Sequence, residues 1–215
     1  MKHDIAVIGL GTFGFELAIQ LSKYGHGVMA IDLDEKKVNA IKDLVQVAVV
    51  ADISDEDVLK KLEIDKFDKV IFGMSSALES IILAIVQMKK MNVKYIIGKA
   101  NTRVKKEILL KIGADEVILP EISTAINLAD KISHPSILEK FKVDYKNSLI
   151  ELEIPEKFIG KTLKDLDLRH KYGLNVVMKK NNNVTQVITN PDTKFEKEDV
   201  LFIIGDEDKI KEVFT

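Results

Sequence analysis

Gly9-Leu10-Gly11-Thr12-Phe13-Gly14 decides the fold of this chain. It follows a short apolar run, Asp4–Ile8, and opens an amphipathic stretch that begins at Phe13, while Asp32 stands at the end of the next apolar run. A lone G-x-G-x-x-G arises by chance, because glycine is common. Between a strand and a helix it becomes a dinucleotide fingerprint. Gly9 allows the tight turn out of the strand, Gly11 lets a pyrophosphate approach the backbone, and Gly14 lets the helix pack close to the sheet. The helix N-terminus then presents unpaired N–H groups and a positive dipole end to the phosphate.

Outward from this turn, the first ~120 residues alternate strand and helix through short connections, the rhythm of a parallel sheet covered by helices. Strands are expected at Asp4–Ile8, Gly27–Ile31, Gln46–Val50, Lys69–Met74, Tyr95–Gly98 and Glu116–Leu119. They are rich in Val and Ile and nearly continuous in apolar character, as strands buried on both faces are. Helices are expected at Phe13–Tyr24, Glu35–Asp43, Asp55–Leu62, Leu78–Met91 and Arg103–Ile112. Gly25 and Gly113 read as helix stops, Asp34 as a helix cap, and Ser54 as an N-cap followed by acidic residues. The fold class is α/β, a Rossmann-like doubly wound parallel sheet over residues 1–135, followed by a small α+β domain over residues 142–215.

A long helix is expected between the two, roughly Ile122–Phe141, with Pro135 kinking it or dividing it in two. Ile122, Ala125, Ile126, Ala129 and Ile132 recur at helical spacing and form one apolar stripe. The stripe suits a contact with a partner subunit; the alternative is that it folds back on its own sheet. Beyond Val143 the rhythm changes: Ser148–Ile154, Leu174–Lys179, Val184–Ile188 and Val200–Ile204 read as strands, with Asn181-Asn182-Asn183 a tight turn. Short helices at Thr162–Leu166 and Glu207–Phe214 complete a module whose thin core gains stability by dimerising.

Composition narrows the function. Of 215 residues, 46% are hydrophobic and 31% charged, with a net charge of −2, so no global field favours nucleic acid, and no local basic patch is evident. No apolar run approaches the roughly 20 residues of a membrane span, and the N-terminus runs straight into a strand with no signal peptide. The chain contains no Cys, which excludes disulfides and thiolate metal sites and fits a cytoplasmic location. His3, His26, His134 and His170 show no ligand spacing.

Asp32 lies 18 residues after Gly14. A carboxylate there accepts hydrogen bonds from ribose hydroxyls and repels a 2′-phosphate, disfavouring NADP; otherwise it caps the following helix. Asp52 and Ile53 follow the third strand, where they flank an adenine ring or where Asp52 caps the next helix. Ser75 and Ser76 follow the fourth strand, beside the switch in strand order, and let phosphate or ribose approach or simply form a turn. Lys99 ends the fifth strand, where a cation faces phosphates or is a surface lysine. Glu121 opens the long helix, where it holds a cation on terminal phosphates or favours the helix N-terminus. There is no Ser/His/Asp set, P-loop or paired-carboxylate motif, and His170 has no evident carboxylate partner. A dehydrogenase would need an acid or base beside the nicotinamide. The chain therefore reads as a sensor and not an enzyme, the rivals being a small NAD-dependent oxidoreductase and a redox-sensing regulator.

Ile8-Gly9-Leu10-Gly11-x-Phe13-Gly14, Ala30-Ile31-Asp32, Lys99-Ala100-Asn101 and Ile112-Gly113-Ala114-Asp115 through Pro120-Glu121 resemble the N-terminal domain of RCK proteins, which regulate potassium conductance. Gly160-Lys161-Thr162-Leu163, Leu166-x-Leu168-Arg169-x-Lys171-Tyr172-Gly173 and Phe195-x-x-x-Asp199-Val200-Leu201 resemble the family's C-terminal domain, as in the cytosolic Ktr/Trk-type subunits. The resemblance implies a potassium-transport regulator that binds ATP, ADP or NAD(H), dimerises and forms an octameric ring under a membrane-embedded channel or transporter subunit. Such a protein is cytoplasmic, held at the membrane through that partner without inserting. Gly9, Gly11, Thr12, Phe13, Gly14, Asp32, Asp52, Ile53, Ser75, Lys99 and Glu121 fall at or beside the family's nucleotide positions, with Glu121 at its divalent-cation or Na+ position. Arg169, Asn190 and Pro191 fall where relatives bind cyclic di-AMP. Thr12 stands where ATP-responsive relatives often carry Arg, which removes a charge-assisted phosphate contact and favours NAD(H) or ADP.

Overall fold

The computed structural model describes residues 2–182 and 184–214 and divides into two compact units, one ending at Ser123 and the other beginning at Thr124. In the first, six parallel strands form one sheet: β1 (Asp4–Ile8), β2 (Gly27–Asp32), β3 (Val47–Val50), β4 (Lys69–Phe72), β5 (Ile96–Lys99) and β6 (Glu116–Ile118). Their order is β3-β2-β1-β4-β5-β6, so the direction of winding reverses between β1 and β4. The helices are α1 (Thr12–Lys23), α2 (Glu35–Ile41), α3 (Glu56–Lys61), α4 (Leu78–Lys90) and α5 (Arg103–Lys111).

Alternate strand residues feed two cores, which is why the strands read as continuously apolar. Ile5, Val7, Val28 and Ala30 pack with Ala18 of α1 and with Val38 and Ile41 of α2. Ala6, Ile8, Val70 and Phe72 pack with Leu59 of α3, Ile81 and Ile85 of α4, and Leu109 of α5. Local chemistry starts α2, α3 and α5: the side chains of Asp34, Asp55 and Thr102 accept from the N–H groups of Lys36, Asp57 and Lys105. The N-cap of α3 is thus Asp55, one residue beyond the expected Ser54.

The expected long helix is overturned in its second half. Helix α6 (Pro120–Ser133) stops before Pro135, and residues 137–142 form a strand, β7 (Ile137–Lys142). Pro135 donates no N–H and biases His134 away from helical geometry. The chain beyond then finds its hydrogen bonds by pairing antiparallel with β8 (Asn147–Glu153). Hairpin pairing with β8 outweighed the local helical spacing. Among the described residues of α6 none is buried, and Ile126, Leu128 and Ile132 stand in the open.

The second unit is an antiparallel sheet of order β10-β9-β11-β8-β7, with β9 (Asn175–Asn181), β10 (Val184–Val187) and β11 (Val200–Asp206). Its helices are α7 (Leu163–Leu166), α8 (Leu168–Tyr172) and α9 (Glu207–Phe214). Ile150, Leu152, Leu201, Ile203 and Phe195 fill its core, and Phe158 meets Phe214 edge to face. Asn182, between β9 and β10, has φ +47°; Asn183 of the expected turn lies outside the described residues. The motif ending in Asp199 has a structural meaning: this buried carboxylate accepts from the Glu196 N–H, Asn181 Nδ2 and Lys179 Nζ, pinning the entry to β11.

A second polar knot ties α6 to this sheet. Lys140 of β7 pairs with Asp130 of α6 and lies 3.2 Å from Glu207 Oε1 at the start of α9, while Ser148 Oγ donates to Glu207 Oε2. Burial opposes the Glu207 charge, yet Lys211 and Lys140 hold its carboxyl down, from 4.5 to about 2. In that interval the unfolded chain binds the extra proton. The contribution is therefore complete above about pH 4.5 and is lost as pH falls toward about 2. Glu207→Gln is expected to lower stability at neutral pH by about 2 kcal/mol. It should also flatten the loss of stability through this acid window, as read by denaturant titrations at stepped pH. An acid limb as steep as that of the native protein would exclude the knot as its source.

Candidate nucleotide-binding site

A cavity of about 650 Å³ opens at the carboxyl edge of the parallel sheet, where winding reverses between β1 and β4. Such switch points are where open α/β sheets bind ligands. The turn from β1 into α1 forms its floor. Gly9 has φ +90°, a conformation that favours glycine, and its N–H continues the ladder by donating to Ile31 O at 2.7 Å. A Cβ on Gly14 would stand 1.9 Å from Gly9 O, so α1 reaches β1 only because that residue has no side chain. Gly11 differs: nothing lies within 4 Å of its would-be Cβ, and it lines the cavity. A side chain there would occupy the space left for a ligand. Gly11 is also the N-cap of α1 and supplies no side-chain cap, so the first-turn amides stay available to an anion.

One glycine escaped the sequence reading. Gly73 follows β4, whose expected extension to Met74 stops at Phe72, and its N–H donates to Ile8 O at 2.7 Å. A Cβ there would lie 2.5 Å from Gly9 O and 2.6 Å from Gly14 Cα. Three backbone segments meet at this point. Its only signal in the sequence is a glycine directly after the strand that neighbours β1.

Asp32 lines the cavity and does a second task. Its Oδ2 accepts from the Leu10 N–H at 2.6 Å and its Oδ1 from the Asp34 N–H at 2.9 Å, with Lys37 Nζ 3.3 Å away. Burial opposes its ionisation, but the bonds from Asp34 and Leu10, with Lys37 beside it, outweigh that and hold the carboxyl below the usual range. The ribose candidate therefore also fixes the glycine turn. Asp34 caps α2, as expected.

Ile53, Ser75, Ser76, Thr12 and Phe13 line the same cavity. So does Asp52, but its Oδ1 accepts from Ser54 N–H and Ser54 Oγ, closing a local turn; the capping alternative is corrected, since Asp55 caps α3. Lys99 is not a surface lysine. Its side chain is 9% exposed, its Nζ lies 5.7 Å from the Phe13 ring centroid, and it reaches Glu121 Oε1 at 2.5 Å. The hydrogen bond from Lys99 lowers the Glu121 pKa. At the expected cation position the protein itself supplies one carboxylate, and among the described residues no three His, Cys, Asp or Glu side chains gather as a metal site. Lys37, Met74 and Ser80 are further lining residues that the sequence reading missed.

No His, Cys or Tyr lines this cavity among the described residues. Arg169, Asn190 and Pro191 converge on a separate pocket of about 440 Å³ in the second unit, with Asn175, Val176 and Ile188. His170 does have a carboxylate partner, contrary to expectation: its Nδ1 is 2.6 Å from Asp167 Oδ1, an exposed i,i+3 pair. Gly73→Ala is expected to destabilise the protein by about 2–3 kcal/mol, because the new methyl meets backbone that cannot step aside. Thermal unfolding checks this, and a melting temperature within a degree of the native protein would refute the close approach.

Comparison with known proteins agrees with this fold. Residues 5–120 match the TrkA-N domain and residues 149–215 the TrkA-C domain. Ktr system potassium uptake protein C of Bacillus subtilis is 38% identical over 95% of this chain and 93% of its own length. Ktr system potassium uptake protein A of the same organism is 32% identical over 98% and 95%. The solved GsuK channel bound to NAD superposes with a TM-score of 0.62 at 15% identity, over 97% of this chain and 38% of that one, a likeness of fold alone. The chain therefore belongs to the TrkA-N/TrkA-C family and, over nearly its whole length, to the Ktr-type potassium uptake proteins within it.

Proposed function

We propose that this chain is the cytosolic, nucleotide-sensing regulatory subunit of a potassium uptake system, and not an enzyme. One observation carries the reading. The cavity holds a phosphate cradle at Gly11, a ribose-side carboxylate at Asp32 and a buried cation at Lys99, yet no His, Cys or Tyr among its described lining residues. A cleft so built recognises an adenine nucleotide through its phosphates and ribose. The two Bacillus subtilis relatives are named as potassium uptake proteins, which supports the same role here.

The partner in this reading is a membrane-embedded potassium channel or transporter subunit. In this reading the membrane span belongs to that partner; no described helix of this chain is long and apolar enough to cross a bilayer. The exposed apolar stripe of α6 supports self-association, a homodimer that repeats into an octameric ring. Bound nucleotide then shifts the ring between two shapes, only as far as its affinity differs between them. With Thr12 in the glycine turn, ADP and NAD(H) are favoured over ATP. A divalent cation or Na+ at Glu121 would draw its remaining oxygens from the nucleotide's phosphates. In the second unit, Arg169 with Asn190 and Pro191 suits a cyclic di-AMP phosphate and base.

Calorimetric titration with ADP, ATP, NAD and NADH tests the site. Asp32→Ala is expected to weaken the nucleotide that binds by at least roughly tenfold, since it removes the ribose acceptor and frees the Leu10 turn. Equal affinity in the variant would discard the assigned cleft. Light scattering should give a dimer or larger species, and co-expression with a Ktr-type membrane subunit should restore potassium uptake to a deficient bacterium. A monomer that turns over NADH with small carbonyl compounds would instead establish the oxidoreductase.

A further inference from the structure

We infer that a nucleotide's phosphates compete with Glu121 for Lys99, so that occupancy of the cleft is read out as release of the first turn of α6. This rests on the nucleotide reading above. Two cations line the cavity among its described residues. Lys37 stands beside Asp32, at the ribose end. Lys99 stands over Phe13, in the first turn of α1, where the phosphates would lie. Its present partner is Glu121, and the two sides of that pair are unequal. The Lys99 side chain is 9% exposed and that of Glu121 58%. A buried ammonium must keep an anion beside it, whereas an exposed carboxylate loses little on returning to water. Exchange of Glu121 for a phosphate oxygen therefore satisfies every group: Lys99 stays paired, and the displaced carboxylate is hydrated. With no cation bound between them, two anions that both remained would repel each other across one ammonium, so the exchange belongs to the cation-free cleft.

Glu121 lies in the first turn of α6, the helix in which the chain passes from the first unit to the second. Near the other end of the same helix, Asp130 is held by Lys140 of the antiparallel sheet. The exchange thus acts on the first turn of a helix whose later turns are held by the antiparallel sheet. A helix with one end pinned and the other switched is a two-state element of the kind that regulation requires.

A double-mutant cycle on the full chain, with EDTA present to remove cations, tests the competition using ADP, NADH and, as a phosphate-free control, adenosine. Glu121→Gln is expected to tighten ADP or NADH about 3–10-fold and adenosine less than about twofold, while Lys99→Met weakens the phosphorylated ligands at least roughly tenfold. In the Lys99→Met background the gain from Glu121→Gln should shrink below about twofold, because the competition runs through Lys99. Hydrogen exchange at the Ser123 amide, which donates to Leu119 O in the first turn of α6, should rise when ligand binds the native protein and start high in Glu121→Gln. An equal gain in both backgrounds would reduce Glu121 to a through-space repulsion and overturn the exchange. Unchanged or weaker ADP and NADH binding in Glu121→Gln would overturn it too. A folded native protein that binds neither ligand would remove the nucleotide reading itself, and the inference with it.

Discussion

The first unit depends on one close approach, the backbone contact among Gly9, Gly14 and Gly73. Interiors are packed so tightly that a single methyl at such a crossing displaces an element. Here it would displace α1 from β1, or β4 from both. The same contact aims the amino end of α1 into the cavity and sets β1 beside β4, so the switch point and the anion-binding turn are one construction. Asp32 completes it by bonding the Leu10 N–H from the neighbouring strand.

Polar groups are spent at two kinds of place. In the second unit they are structural: Asp199 with Lys179, and Lys140 between Asp130 and Glu207, are inward-facing groups with their partners in reach. In the cleft they are unequal, a buried Lys99 against an exposed Glu121. A balanced buried pair fixes a structure, because parting it leaves a charge unsolvated. An unbalanced pair at the edge of a cavity can change partners cheaply, and a sensor needs such a pair where its ligand lands.

Most of the parallel sheet was legible because its central strands are buried on both faces and several helices carry their own punctuation. Asp34, Gly25 and Gly113 act within their own neighbourhoods, and the sequence suffices to read them. Where the reading failed, the deciding contact lay outside the pattern being read: a hairpin partner, a backbone crossing in the sheet, or a side-chain pair on α8. Residues 137–142 continue an apolar spacing that looks helical, but their outcome was set by β8 and by the inward charge of Lys140. Gly73 looked like one more strand residue until two other glycines arrived beside it. His170 looked unpartnered because the pairing with Asp167 depends on the local geometry of α8.

By itself, then, the sequence determined the doubly wound sheet, the glycine turn, the acid at the end of β2 and the change of rhythm into a second module. These follow from periodicity, backbone freedom and short-range capping, all of which act over a few residues. Only the tertiary structure decided that Asp32 braces the turn it serves, that Lys99 is buried against Glu121, that Arg169, Asn190 and Pro191 share one pocket, and that α6 ends where a strand begins. The first three join residues about 20 or more apart in the chain, and the last sets a helical spacing against hairpin pairing with β8. Such contacts exist only once the core has closed.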